Sequence, residues 1–295
     1  MKQNRSLRFS IVIPCYNEAE YIEKTLESLQ AQNTTAQYEV IVVDNNCIDE
    51  TVAIAKRYQA RIVHEQQPGV CAARQAGCRQ ARGEIIISTD ADTKFKKNWL
   101  AQIDQTFKDN PQIVAVGGPC RYYDGPWWGR IYTHFLFGFS YLYFLIRGYP
   151  SYITATNFAF KKSYFEGYDL NLIQGGDELG LLRQLRKKGK ILFNPRNYTL
   201  TSGRRLKKGI FYNIFITFFY YYLAAYYVNS LFHKQIIGSA PAVRRQQAIR
   251  RVPSLAFGIC ILLIIGLPTY INMHKLTSFI TENTKDIKSL LIRDF

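Results

Sequence analysis

The residues best suited to chemistry in this sequence are carboxylates that directly follow apolar runs. Ser88-Thr-Asp-Ala-Asp92 continues the run Glu84-Ile-Ile-Ile-Ser88, so Asp90 and Asp92 stand i, i+2 at the end of a buried strand. In extended backbone such a pair points the same way. One cation could then reach both, or one of the two could hold a nucleotide. Oxygen-only ligands favour a hard ion such as Mg2+ or Mn2+, completed by substrate phosphates. The plainer alternative is a loop in which Asp92 caps a turn. Asp44 ends a second run, Glu39-Val-Ile-Val-Val43, where an acceptor can meet a nucleobase or ribose donor, although strand-end Asp also serves turns. Asp49 reads as the N-cap of the helix that follows. After a third run comes Pro14-Cys-Tyr-Asn-Glu-Ala-Glu20. Asn17 and Glu20 have the spacing of a capping box, which opens a helix at a strand's carboxyl end and offers its N-terminus to anionic groups.

The elements that must position these residues follow a regular order. Strands are expected at Phe9–Pro14, Glu39–Val43, Arg61–His64, Glu84–Ser88 and Ile113–Val116. Between them lie helices with apolar positions Ile22, Leu26 and Leu29, then over Thr51–Tyr58, Val70–Gln80 and Asn98–Phe107. Continuous Ile/Val strands interleaved with helices predict a parallel α/β sheet covered on both faces. Ligands of such sheets sit at the strands' carboxyl ends. Beyond residue 120 the alternation breaks. Ile153–Phe160 and Ile191–Phe193 are expected to return to the sheet, with a helix over Glu178–Lys188 between them.

Taken together, the strand ends resemble glycosyltransferases of family 2, which have the GT-A fold. The matching stretches are Ile11-Val-Ile-Pro-Cys-Tyr-Asn-Glu18, Val42-Val-Asp44, Gly69-Val-Cys-Ala-Ala-Arg-Gln-Ala-Gly77, Gly83 to Asp92 and Gly176-Asp-Glu178, over about residues 7–205. The resemblance implies a mostly parallel sheet flanked by helices and a nucleotide-sugar donor. Pro14, Tyr16 and Glu18 would line the nucleotide pocket, Asp44 would contact the base, and Arg74 would lie near the nucleotide. Asp90 and Asp92 would be the D-x-D motif holding ribose and a divalent cation. Asp177 would be the catalytic base, with Glu178 the weaker candidate and Arg183 six residues on. Asn157 would lie near the acceptor, and Arg204 and Arg205 would meet a diphosphate. A single base without a second nucleophilic carboxylate implies inversion at the anomeric carbon. The chain departs from the family where Asp44-Asn45-Asn46-Cys47 replaces an Asp-Asp-Gly-Ser-like turn, and it has no Gln-x-x-Arg-Trp motif. A dehydrogenase would need G-x-G-x-x-G after the first strand, and a P-loop enzyme G-x-x-x-x-G-K-[ST]; neither is present. The alternatives kept are a nucleotidyltransferase using the same metal and nucleotide pocket, and a non-catalytic basic membrane-binding protein.

Composition points to a membrane surface. The 295 residues are 47% hydrophobic and 20% charged, which excludes a disordered tail protein. Thirty-eight Lys and Arg against 22 Asp and Glu leave +16, and 21 residues are Tyr, a side chain enriched at membrane interfaces. Basic residues crowd Arg183–Lys208 and Arg244–Arg251, beside uncharged Gly209–Phe232 and Val252–Met273. That distribution suits anionic lipid headgroups better than nucleic acid. The expected division is a catalytic domain at 1–205, membrane-associated C-terminal helices with a basic loop at 206–275, and a tail at 276–295. Both apolar stretches are long enough to span. A spanning hairpin, however, would export the basic loop His233–Arg251, against the positive-inside rule. The expectation is that Gly209–Phe232 dips into the cytoplasmic interface near the acceptor opening and that Val252–Met273 crosses. The two-span hairpin is kept as an equal alternative, since protein contacts can bury tyrosines and basic loops do sometimes cross. Trp127–Ile146 could share the interface. Six cysteines without a C-x-x-C pair, and no signal-peptide core at the start, suit free thiols in a reducing cytosol. The expected acceptor is a lipid or lipid-linked hydroxyl, at the cytoplasmic face of the cell membrane.

Overall fold

Buried Ile and Val runs build the centre of the molecule. In a computed structural model describing residues 7–170, 176–234 and 236–238, the chain begins β1 (Phe9–Cys15), α1 (Ala19–Gln30), β2 (Tyr38–Asp44), α2 (Thr51–Arg57), β3 (Arg61–His64), α3 (Val70–Gln80) and β4 (Ile85–Ser88). It continues with β5 (Thr93–Lys94), α4 (Trp99–Asp109), β6 (Ala115–Gly117), β7 (Cys120–Tyr122), α5 (Trp127–Arg147) and β8 (Phe158–Lys161). The last described elements are α6 (Leu181–Lys188), β9 (Ile191–Phe193), β10 (Thr199–Thr201) and α7 (Ala225–Phe232).

Seven strands form one sheet in the order β3-β2-β1-β4-β8-β6-β9. All neighbours pair in parallel except β8, which runs antiparallel to both β4 and β6. Side chains alternate across a strand, and both faces are buried. Phe9, Ile11 and Ile13 of β1 enter a core with Ile22 and Leu26 of α1 and Trp99 and Ile103 of α4. Val12 points into the other core, with Cys71 of α3, Phe137 of α5 and Leu185 of α6. Two covered faces are why the strands read as unbroken apolar runs. α3 lies especially close to the sheet. A Cβ on Gly77 would collide with Val12 and Val43, so glycine there lets the helix approach.

A second, three-stranded sheet in the order β5-β10-β7 adjoins the first. Its register sets Thr201 of β10 opposite Thr93 of β5, which delivers the 202–208 turn to the end of β4.

Three expectations shift. The strand expected at Ile113 starts at Ala115, and Ile153–Phe160 contributes only Phe158–Lys161, after a 3-10 turn at Ala155–Asn157. The helix expected from Glu178 starts at Leu181 behind a π turn, Gly176–Gly180. That wide turn buries both of its carboxylates, Asp177 and Glu178. π bulges of this kind are frequent at functional sites.

The membrane helices expected at the C-terminus are not supported among the described residues. Gly209–Phe232 contains a wide π helix, Tyr212–Ala224, that continues into α7. No helix of the described residues is long and apolar enough to cross a membrane. The segment carries Asn213, Asn229 and a run of tyrosines. Asn229 is buried and bonded to the backbone of Ile236 and Ile237, while Arg183 lies over the Tyr226 ring at 5.3 Å. Val252–Met273 and the tail 276–295 lie outside the described residues. The five described cysteines, Cys15, Cys47, Cys71, Cys78 and Cys120, are free thiols.

Candidate active site

Three parallel strand ends, β1, β2 and β4, bring the leading candidates together, but the local geometry differs from what spacing suggests. Asn17 does not cap α1. It adopts a left-handed φ of 54°, which Asn tolerates better than most residues, and its Oδ1 accepts from the Ile48 amide at 2.6 Å. The first amides of α1 are satisfied from the neighbouring loop instead. Thr51 Oγ1 accepts from Glu18 N at 2.7 Å and Asp49 Oδ2 from Ala19 N at 3.1 Å. Asp49 also accepts from Thr51 N at 3.1 Å. It is not the N-cap of α2 as expected, which is Glu50, but it ties the starts of α1 and α2 together from one residue further out.

Asp44 is fixed at the end of β2. Oδ1 accepts from Cys47 N at 2.8 Å, and Oδ2 lies 2.9 Å from His64 Nδ1. Burial works to raise its pKa, but the Cys47 hydrogen bonds and the His64 ring outweigh burial and hold it below the usual carboxylate range. His64 was not foreseen. Its signal is strand register, since β2–β3 pairing sets it opposite Asp44. The unusual Asn45 proves structural: its amide nitrogen donates to Glu65 O and Gln67 O at 2.8 and 2.7 Å, and its Oδ1 accepts from Gly69 N at 2.9 Å. The loops after β2 and β3 are thereby clamped together. Tyr16 stands half exposed beside them, and Pro14 is partly buried.

Arg74 is the first correction of consequence. Expected near the nucleotide, it is 2% exposed and runs from α3 beneath the end of β4. Nη1 donates to Ser88 Oγ at 2.6 Å and Thr89 O at 2.9 Å, Nη2 to Asp90 Oδ1 at 2.5 Å, and Nε to Asp177 Oδ2 at 3.1 Å. Burial alone would lower its pKa, but Asp90 and Asp177 raise it above the ordinary arginine value. It therefore joins the D-x-D motif to the candidate base from below.

The second correction concerns the D-x-D pair. The chain turns at Ala91 and Asp92 rather than staying extended, so the two carboxylates take different partners. Asp90 goes to Arg74. Asp92 Oδ1 accepts from Thr201 Oγ1 at 3.1 Å, and Oδ2 lies 3.3 Å from Arg204 Nη2. Arg204 also forms a fork with Glu18, at 2.8 and 2.7 Å. Burial pushes Asp92 up to about 7; Arg204 partly offsets this, and Asp90 and Glu18 add to it. Arg205, expected to act with Arg204, is exposed, so the pair is split.

Asp177 and Glu178 are both buried. Burial raises Asp177, and the Arg74 guanidinium partly offsets this. Glu178 accepts from Tyr152 Oη at 3.0 Å and from Ala155 N at 2.8 Å, so its oxygens are committed to the fold. Burial, with Asp177 second, pushes it up to about 8. The folded state then keeps a proton that the unfolded chain releases, so stability falls as pH rises from the ordinary 4.5 to about 8. Glu178→Gln removes this titration. Its melting temperature should fall less than wild type's across that interval in a pH series of thermal melts; equal slopes would show Glu178 ionised in the fold.

Two expected residues stand apart from this cluster. Asn157 is buried, with Nδ2 donating to Pro119 O at 3.1 Å and Asn197 O at 2.7 Å while Oδ1 accepts from Trp99 Nε1 at 3.0 Å. Both of its N–H donors are used inside the protein, so it braces the floor rather than meeting an acceptor. Arg183 is exposed and lies over Tyr226, not toward Asp177.

Among the described residues, no cluster of three or more His, Cys, Asp and Glu is arranged to hold a metal. Asp90, 34% exposed, and Asp92 nevertheless give two hard oxygen donors, as many as Mg2+ or Mn2+ usually takes from protein before phosphates and water complete the shell. The donor set fits such an ion bound together with a diphosphate.

Residues 10–169, just over half of the chain, match the model of Glycosyl transferase family 2. The chain is 37% identical over 116 residues to glycosyltransferase AglE of Haloferax volcanii, covering 37% of this chain and 38% of that one. It is 28% identical over 128 residues to chondroitin synthase of Pasteurella multocida, covering 41% and 13%. The matched part thus spans less than two fifths of either relative's length. Among solved structures, mannosyltransferase PcManGT from Pyrobaculum calidifontis, in complex with GDP-Man and Mn2+, superposes with a TM-score of 0.56 at 20% identity, covering 81% of this chain and 67% of that one. S. aureus TarS in complex with UDP gives 0.52 at 18% identity, covering 67% and 61%. At such identities the likeness is one of fold.

Proposed function

This chain belongs to glycosyl transferase family 2, and from that premise we propose that it transfers a sugar from a nucleoside diphosphate to a hydroxyl of a lipid or lipid-linked acceptor at the cytoplasmic face of a membrane. One observation carries the reading: two arginines gather Glu18, Asp90, Asp92 and Asp177 into a single cluster at the strands' carboxyl ends. In this reading residues 1–205 are the catalytic unit, 206–275 associate with the membrane, and 276–295 form a tail. Free thiols suit the cytosolic side.

Asp44 accepts from the nucleobase, with His64 holding its orientation, and Tyr16 offers a flat apolar wall beside it. Asp90 and Asp92 would hold a divalent cation, which when bound would neutralise charge on the leaving diphosphate. Arg204 turns from Glu18 and Asp92 to the diphosphate oxygens, which a guanidinium fork suits. The acceptor oxygen attacks the anomeric carbon and forms the new glycosidic bond. Its proton passes to the Asp177 carboxylate. The bond from the anomeric carbon to phosphate oxygen breaks with its electron pair on the diphosphate, and the anomeric configuration inverts.

The test is Asp92→Asn in calorimetric titrations of nucleotide sugars, with Mn2+ and with chelator. Wild type should bind donor more tightly with the ion, and the variant should lose that difference. Donor affinity indifferent to chelator in wild type would remove the cation from this account.

A further inference from the structure

α5 buries only a narrow stripe. Gly129, Thr133, Phe137 and Ser140 face the protein. On the outer side Trp127, Ile131, Phe135, Phe139, Leu142 and Leu145 recur at three- and four-residue steps, each between 46% and 76% exposed. At 1.5 Å per residue this row is about 27 Å long. Single exposed apolar side chains are ordinary; a contiguous row marks a contact surface.

The charges around the row say what it contacts. No Asp or Glu occurs between Asp124 and Glu166. At the N-terminal end the exposed Arg130 is joined by exposed Arg205 and Lys207. Their turn packs on the helix through Leu206, which fills the space a Cβ on Gly129 would need. At the C-terminal end stand exposed Arg147 and Arg186, the latter 4.0 Å over the Tyr149 ring. A second copy placed on this row by a two-fold axis would set cation against cation. An aliphatic segment of the same chain would cover the row and leave the cations without counter-charge. A bilayer surface bearing anionic headgroups satisfies both, since amphipathic helices lie at the headgroup–acyl boundary with apolar side chains inward and Lys or Arg at the phosphates.

We infer that the outer face of α5 docks on an anionic bilayer and holds the site next to it. The helix is tied to the site at two places. Ser140 Oγ bonds Tyr152 O at 2.7 Å and Tyr152 N at 3.2 Å, and Tyr152 Oη reaches Glu178, the neighbour of Asp177. Just before α5, Asp124 accepts from Ser202 Oγ at 3.1 Å and from Gly203 N, ahead of Arg204. The docked helix thus sets the height of base and arginine above the lipid. This inference rests on the lipid-acceptor reading for its purpose, though not for its test.

The experiment places the photocrosslinker p-benzoylphenylalanine at position 139 of the full chain, with position 24 on α1, across the sheet, as control. Both proteins are irradiated with vesicles of phosphatidylcholine with or without phosphatidylglycerol. Position 139 should give lipid adducts about tenfold above position 24 with phosphatidylglycerol present, and fewer without it. Crosslinks from position 139 to a second copy, to residues 252–273 of its own chain, or to nothing would overturn the docking face. Sugar transfer to a lipid acceptor is assayed on the same samples. Transfer without lipid adducts removes the docking and leaves the function, whereas adducts without transfer do the reverse.

Discussion

Asp177→Asn should fold, bind donor and lose about a hundred- to ten-thousand-fold in kcat, the range that removing a general base commonly costs. Asparagine keeps the size of the side chain and an oxygen to accept from Arg74 Nε, so the buried strut between Asp177 and Asp90 survives in outline. What is lost is the ability to take a proton. Donor titration and a melting curve separate this outcome from misfolding. Turnover within about threefold of wild type would confine Asp177 to a structural role, because effects that small lie far below a lost base. Glu178 is the poorer candidate. Both of its oxygens hold the fold, on Tyr152 and Ala155, whereas Asp177 shares Arg74 with the D-x-D motif.

Arg204→Gln should lower kcat by about a hundred- to a thousandfold, comparable with loss of a preorganised donor to a developing oxyanion, while Arg205→Gln stays near wild type. The contrast comes from position. Arg204 forks onto Glu18 and reaches Asp92, and Arg205 is exposed. Assays in neutral detergent take anionic headgroups out of the comparison. There the double variant should match Arg204→Gln alone. A double variant with full activity would make both arginines headgroup contacts. Arg204→Lys should recover only part of the activity, because an ammonium cannot reproduce the planar fork.

Much of this protein was legible without coordinates. Ile and Val runs broken by helices at regular intervals announce a sheet covered on both faces. Carboxylates placed directly after those runs announce where ligands bind, because strand direction is shared in a parallel sheet. Asp44, Asp90 and Asp92 are singled out as candidates this way, and the family resemblance adds Asp177, Glu18 and Arg204. Gly77, read only as part of a motif, owes its identity to how closely α3 approaches Val12 and Val43.

Tertiary structure decided the partners. Whether Arg74 meets nucleotide or carboxylate depends on α3 running under the end of β4, a contact across 103 residues to Asp177. Whether Arg204 or Arg205 enters the site depends on the Thr201–Thr93 register of the small sheet. Asn157 resembled an acceptor contact by its neighbours in sequence, and packing turned it into a brace between Trp99, Pro119 and Asn197. The outer face of α5 carries more large apolar side chains than the stripe it buries, so hydrophobic patterning alone would turn the helix the other way; packing against the sheet set its direction. Local sequence determines which segments are strand or helix and where strands end, because those depend on nearest neighbours and on which side chains water excludes. It does not determine which distant charge a buried charge meets, because that pairing is the outcome of packing the whole chain.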